Sequence, residues 1–118
     1  MRTVFLVDDE PVLHELYREV LSVNGFEVIG KALNGEEALK VYRELEVKPD
    51  IIILDHRMPK GDGLFVMGEI LSLDPEAKVI FASADTSVRE RVLRLGALGF
   101  LEKPFSINDL INVVSKGS

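Results

Sequence analysis

The sequence predicts an α/β protein built on a doubly wound, five-stranded parallel sheet, with a βα unit repeated five times, (βα)5. Three observations carry this. Five short apolar runs rich in β-branched residues recur along the 118 residues. Three of those runs are continuous rather than alternating, as strands covered on both faces are. The stretches between runs repeat their apolar residues at helical spacing, and right-handed crossovers then distribute the helices over both faces.

The elements follow in order. Val4-Phe5-Leu6-Val7 is the first strand. Pro11 suits the first position of the next helix, where a missing N–H costs nothing. That helix carries Leu13, Leu16, Tyr17, Val20 and Leu21 as one stripe and stops at Gly25. Val28-Ile29 marks the second strand. Asn34, with Glu37 three residues on, has the form of a capping box and opens a helix striped by Ala38, Val41, Tyr42 and Leu45. Ile51-Ile52-Ile53-Leu54 is the third strand. Asp62-Gly63 is the entry to a third helix with Leu64, Met67 and Leu71. Val79-Ile80-Phe81-Ala82 is the fourth strand, and Asp85-Thr86 opens a helix with Val88, Val92 and Leu95 that Gly96 ends. Gly99-Phe100-Leu101 is a weaker fifth strand. Ser106 and Asp109 then cap a last helix with Ile107, Leu110, Ile111 and Val114, leaving Gly117-Ser118 as a short tail. No linker or repeat beyond the βα rhythm interrupts this, so a single domain over 1–118 is expected.

Composition narrows the function. Fourteen Lys plus Arg against 20 Asp plus Glu give a formal charge of −6, the opposite of the basic footprint that holds nucleic acid. With no Cys, disulfides, thiolate metal sites and a Cys nucleophile are excluded, and a cytoplasmic setting fits. The apolar runs are too short for a signal core or a membrane span.

In open α/β sheets ligands bind beyond the carboxyl ends of the strands. Asp8-Asp9-Glu10 follow the first run, Asp55 and His56-Arg57-Met58-Pro59 the third, Ser83-Ala84-Asp85 the fourth, and Glu102-Lys103-Pro104 the fifth. Each has an ordinary explanation taken singly: an acidic run favours a helix N-terminus, and a lone Asp forms turns. Together they do not. Three carboxylates within about 5 Å repel by a few kcal/mol per pair at an effective dielectric near 20. Capping does not need three of them, whereas a hard divalent cation such as Mg²⁺ removes the conflict. Lys103 then suits a phosphoryl group rather than the metal.

The set Asp8-Asp9, Asp55, Ser83 and Lys103-Pro104, with Met58-Pro59 and Gly61-Asp62-Gly63 after Asp55, resembles the receiver domain of two-component response regulators, over essentially the whole chain. The resemblance implies the flavodoxin-like strand order 2-1-3-4-5. It implies that Asp55 accepts a phosphoryl group from a sensor histidine kinase or a phosphotransfer protein. Asp9, Asp55 and the backbone carbonyl of Arg57 would ligate Mg²⁺, with Asp8 acting through a water. Lys103 and Ser83 would bind phosphoryl oxygens, Phe100 would be the aromatic that follows Ser83, and the peptide before Pro104 would be cis. The resemblance places the output surface, for a downstream protein, on the fourth helix, fifth strand and fifth helix. The kinase would meet the first helix near Leu13, His14 and Tyr17, although Leu13 and Tyr17 read by themselves as core. No direct nucleic-acid or membrane partner is implied, and no enzymatic turnover beyond the domain's own phosphorylation and dephosphorylation.

Two positions are particular to this chain. Arg57 and Asp85 each lie two residues past a site residue, and their expected role is to pair across the pocket mouth and shield the acyl phosphate. The competing expectation is that Asp85 caps the fourth helix and pairs with Arg89. Glu90–Arg94 is a candidate i,i+4 pair on that helix. His56 is expected to face solvent beside the acceptor. Three rival functions remain. A small Mg²⁺-dependent phosphohydrolase of the haloacid dehalogenase kind would want an acid where Arg57 stands. A flavin carrier would want a hydroxyl- and glycine-rich loop where Asp8-Asp9-Glu10 stand. A docking module that never takes phosphate is the third.

Overall fold

Side-chain alternation along the strands divides the core in two. Phe5, Val7, Ile52, Leu54, Val79 and Phe81 face one side of the sheet, and Val4, Leu6, Ile51, Ile53, Ile80 and Ala82 the other, as the period of two requires. The computed structural model describes residues 1–116, so the expected tail at Gly117-Ser118 lies outside the described residues. The chain runs β1 (Arg2–Val7), α1 (Pro11–Val23), β2 (Phe26–Ala32), α2 (Gly35–Glu44), β3 (Ile51–Asp55), α3 (Gly63–Leu73), β4 (Val79–Ser83), a 3₁₀ turn (Thr86–Val88), α4 (Arg89–Leu95), β5 (Gly99–Glu102) and α5 (Ile107–Lys116). All strand pairs are parallel, in the order β2-β1-β3-β4-β5. The expected fold class and strand order both hold.

The two core layers belong to different helices. Ala38, Leu39 and Tyr42 of α2, Val66, Met67 and Ile70 of α3, and Val92 of α4 cover one face. Tyr17 and Leu21 of α1 with Leu110 and Val114 of α5 cover the other. Every residue of β3 and β4 is buried, which is why those runs read as continuous. β2 is an edge strand whose middle residues are only partly buried, and it extends from Phe26 to Ala32 where sequence marks only Val28-Ile29. Its pairing with β1 shifts between Val4 and Phe5, so Val4 lies opposite Val28 and Phe5 opposite Gly30.

The helix ends form as their residue types dictate. Asn34 accepts from the Glu37 N–H at 2.8 Å, but Glu37 reaches back to the N–H of Leu33 rather than that of Asn34. Ser106 and Asp109 exchange both bonds at 3.0 Å, a full capping box. Gly25 and Gly96 follow α1 and α4 with φ of 87° and 116°, the left-handed conformation that glycine adopts without a Cβ penalty. The predicted stripes overreach at helix ends and edges: Leu16, Leu95 and Ile107 are 43%, 55% and 47% exposed. α4 is short because the first turn after Asp85 is 3₁₀, which leaves seven residues for the helix proper.

Candidate functional site

The parallel sheet aligns the carboxyl ends of β1, β3, β4 and β5, and a cavity of about 500 Å³ opens there. It is lined by Asp9, Glu10, Asp55, His56, Arg57, Ser83, Ala84, Asp85 and Lys103. Asp55 is the last residue of β3 and lies opposite Ala82 of β4. Its parity is that of Ile51 and Ile53, so its side chain falls on the α1/α5 side. Lys103 follows β5 with the parity of Leu101, on the same side. The two meet: Lys103 Nζ donates to Asp55 Oδ1 at 2.7 Å and lies 3.7 Å from Asp8 Oδ2. The peptide joining Lys103 to Pro104 is cis, as the resemblance implies.

The closest acidic group differs in membership from the expected Asp8, Asp9 and Asp55: Glu10 takes the third place, and Asp55 connects to Asp8 through Lys103. Ligand atoms of Asp8, Asp9 and Glu10 lie within 4.8 Å of one another, with Asp55 held across the cavity by Lys103. Glu10 was legible only as the third acid of a run. Asp8 is anchored on several sides. Its N–H donates to the Ala32 carbonyl at 3.1 Å, and its Oδ1 accepts from the Glu10 N–H at 3.0 Å. Its carbonyl lies 2.7 Å from His14 Nε2. That last contact corrects the expectation for His14. The residue is only 3% exposed, its ring turned in to a hydrogen-bond partner as a buried imidazole requires, so little of its side chain lies on the surface. Tyr17 is likewise core, stacked on Phe105, and its hydroxyl pKa is raised by burial and then by the charge of Asp8.

The electrostatics describe a site short of positive charge. Burial raises the Asp55 pKa, and Asp8 and Asp9 add to the rise against the opposing pull of Lys103. For Lys103, burial lowers the pKa, but the hydrogen bond and charge of Asp55 and the charge of Asp8 outweigh it and the net shift is upward. A carboxylate that remains destabilised beside a 2.7 Å ammonium partner is one that additional cationic charge would relieve.

His56 is the clearest departure from expectation. It is 4% exposed, not solvent-facing. Its N–H donates to the Ala82 carbonyl at 3.0 Å, continuing the ladder one residue past Asp55, so its side chain turns to the opposite face. There the ring packs 5.2 Å from Phe81, and Nδ1 lies 2.8 Å from Ser83 Oγ. Ser83 also accepts from the Asp85 N–H at 2.9 Å. Burial, followed by the Arg57 charge, lowers the His56 pKa, which favours the neutral ring. Phe81 in turn stacks on Phe100 at 6.5 Å, which places Phe100 on the same face as Ser83 and half-buried.

At the mouth, Arg57 Nη2 and Asp85 Oδ2 are 3.5 Å apart. Asp85 Oδ1 meanwhile accepts from the Ser87 N–H at 3.0 Å and from the Ser87 hydroxyl. Asp85 therefore spans the mouth and caps the 3₁₀ turn at once. The Ser87 hydroxyl and then its N–H lower the Asp85 pKa. Among the described residues no ion pair joins Asp85 to Arg89 or Glu90 to Arg94.

Two glycines let the loop beyond Asp55 close on the rest of the molecule. A Cβ on Gly63 would lie 2.3 Å from the Asp55 carbonyl oxygen, and the Gly63 N–H donates to the His56 carbonyl at 2.7 Å. A Cβ on Gly35 would lie 2.0 Å from the Gly61 carbonyl oxygen, so the start of α2 abuts the loop after Arg57 and Met58.

A doubly wound sheet with an acidic cluster, a buried aspartate, a hydroxyl and a lysine gathered at its carboxyl edge defines a class of α/β signalling domain. Comparison with known proteins places the chain within it. The family model "Response regulator receiver domain" matches residues 4–115, and the chain belongs to that family. The chemotaxis protein CheY of Thermotoga maritima is 34% identical, over 99% of this chain and 98% of its own length. The response regulator TrrA of the same organism, in complex with Mg²⁺ and beryllofluoride, is 36% identical with a TM-score of 0.87 and full coverage of both chains. CheY of Borrelia burgdorferi, in a complex with CheX, beryllofluoride and Mg²⁺, superposes with a TM-score of 0.92 at 31% identity, over 98% of this chain and 87% of that one. Receiver domains act in two-component signalling and bind Mg²⁺ at an acidic pocket, and they are not enzymes in the usual sense. No helix among the described residues is long and apolar enough to cross a membrane.

Proposed function

We propose that residues 1–118 form a single receiver domain that takes a phosphoryl group onto Asp55 from a phosphohistidine of a sensor histidine kinase or a phosphotransfer protein. One observation carries this reading: Asp55, Ser83 and Lys103 line one cavity beside the Asp8-Asp9-Glu10 cluster. The donor set, hard carboxylate oxygens around an aspartate whose charge is under-compensated, fits Mg²⁺. Asp8, Asp9, Asp55 and the backbone carbonyl of Arg57 would hold it. Bound there, it supplies positive charge against the oxygens of the transferring group.

The chain's own residues do the rest. A carboxylate oxygen of Asp55 attacks phosphorus as the P–N bond to the donor imidazole breaks, and the imidazole leaves with the bonding pair and takes up a proton. Lys103, already on Asp55, moves its ammonium onto a phosphoryl oxygen, and the Ser83 hydroxyl donates to another. Arg57 and Asp85 pair over the mouth and slow the approach of water to the acyl phosphate. The mark biases the surface of α4, β5 and α5, where Leu93, Leu95 and Leu98 are exposed apolar residues, toward a downstream protein partner.

Incubation with acetyl phosphate and Mg²⁺, followed by mass spectrometry, tests the reading. The wild-type chain gains one phosphoryl group on Asp55, and Asp55→Ala gains none. Modification that persists in Asp55→Ala overturns the assignment.

A further inference from the structure

Ser83 stands among the phosphoryl-binding groups in the reading above, yet its hydroxyl is already engaged. We propose that His56 is the resting acceptor of the Ser83 hydroxyl proton, so that a phosphoryl group on Asp55 has to win that proton from His56 before Ser83 can bind it. The inference rests on the assignment of Asp55 as acceptor and concerns what sets the switch's threshold.

A serine hydroxyl has one proton to give and two lone pairs to receive with. The Asp85 N–H, at 2.9 Å, takes a lone pair. The other contact of Ser83 Oγ is His56 Nδ1 at 2.8 Å. With Nδ1 as acceptor, the hydroxyl proton and the imidazole lone pair are both satisfied. With Nδ1 protonated, both lone pairs of Oγ are taken and the hydroxyl proton is left to the solvent of the cavity that Ser83 lines, a poorer arrangement for a residue that is 2% exposed than a direct bond to the ring. The resting proton therefore points at His56.

His56 cannot follow the hydroxyl if it turns. Its ring is packed on Phe81, and its backbone is held at both ends, by the Ala82 carbonyl at 3.0 Å and the Gly63 N–H at 2.7 Å. One O–H serves one acceptor well, so donation to a phosphoryl oxygen gives up the bond to His56. The register explains why these two residues meet: Asp55 lies opposite Ala82, so the next residues, His56 and Ser83, come side by side on the other face. His56 is thus a positioning residue. It acts on the phosphoryl group only through Ser83.

Beryllofluoride with saturating Mg²⁺ is the probe, and the Asp85 amide resonance, whose N–H bonds Ser83, is the readout. His56→Phe keeps a ring against Phe81 and removes the acceptor. It should bind beryllofluoride about 2- to 10-fold more tightly than wild type, the range a single net hydrogen bond spans. His56→Asn keeps an acceptor oxygen near the Nδ1 position and should stay within about twofold of wild type, since a retained hydrogen bond leaves little net change. In a Ser83→Ala background, His56→Phe should change nothing, because coupling requires the hydroxyl. Should His56→Phe not fold, His56→Leu supplies the same comparison. Unchanged or weaker binding in His56→Phe overturns the inference, as does a gain that survives in Ser83→Ala or an Asn variant that tracks Phe. A wild-type chain with no Asp55-dependent beryllofluoride response refutes the functional reading itself, a separate result.

Discussion

Adding a single methyl group at Gly63 should damage the acceptor strand out of proportion to its size. The new Cβ would lie 2.3 Å from the Asp55 carbonyl oxygen, 3.0 Å from His56 Cα and 3.0 Å from Phe81 Cε2. Ordinary van der Waals contact begins at about 3.5 Å, so the Asp55–His56 peptide and α3 must separate by about 1 Å. The Gly63 N–H bond to the His56 carbonyl, 2.7 Å long, is stretched by the same movement. Overpacking costs roughly 1–3 kcal/mol, and loss of the hydrogen bond adds about 1 kcal/mol, so Gly63→Ala should lower the unfolding free energy by about 2–4 kcal/mol. Because the displaced peptide carries Asp55, a shift of about 1 Å should also slow phosphorylation by acetyl phosphate on the order of 100-fold. Gly68 supplies the internal control. It lies on the same helix with nothing within 4 Å of an added Cβ, and Gly68→Ala should stabilise by about 0.5–1 kcal/mol through helix propensity. Urea denaturation of the three proteins, with phosphorylation rates on each, decides the matter. A Gly63→Ala protein within about 0.5 kcal/mol of wild type, below the cost of any real overpacking, would refute the close-approach argument.

Further outcomes follow from the charges and the mouth. Lys103→Met removes the cation that lies 2.7 Å from Asp55; Mg²⁺ affinity by calorimetry should rise several-fold while the yield of acyl phosphate falls, and unchanged Mg²⁺ affinity would contradict the competition. Arg57→Ala and Asp85→Ala remove an exposed pair, so stability should move by less than about 1 kcal/mol; dephosphorylation should nonetheless speed up by more than about twofold in each, an order-of-magnitude threshold for so weak a pair, and equal rates would exclude a shielding role. Tyr42 titrates on a different principle. Burial, with the nearby Asp74 carboxylate 3.2 Å from its hydroxyl, raises its pKa to about 12. The folded value lies above the unfolded one, so the stabilisation is complete below pH ~10 and is lost as pH rises through the folded value. The stability difference between wild type and Tyr42→Phe should therefore shrink by on the order of 2 kcal/mol across that interval, and a difference independent of pH would refute the assignment.

The fold was legible because its signals are local. Continuous β-branched runs mark β3 and β4, whose residues are all buried, and Asn34, Asp62 and Ser106 accept backbone N–H groups where the sequence places caps. β2 was under-read because Glu27, Gly30 and Lys31 interrupt its apolar residues, so that it shows no long run. The site residues were legible as a set, since each follows a strand and parallel strands share one edge. What escaped was pairing across strands. His56 read as solvent-facing because its neighbour Asp55 lines a pocket. Counting parity from Leu54 and matching β3 to β4 turns it instead toward Phe81 and Ser83. Nothing in the sequence signals the bond between His14 and the Asp8 carbonyl, because only the fold brings the two together. The choice between Arg57 and Arg89 as the partner of Asp85 likewise turned on a 3₁₀ turn that propensity does not signal.

The abutment of Gly35 on Gly61 ties together two parts of the molecule that the topology alone would leave independent. With no side chain on either residue to act as a cushion, the head of α2 rests directly on the rim of the cavity. A change that lifts the rim carrying Arg57 and Met58 would therefore press on the first residue of α2. Drift in sequence is constrained to match: the exposed flank of α2 is free to change, while its first residue is not.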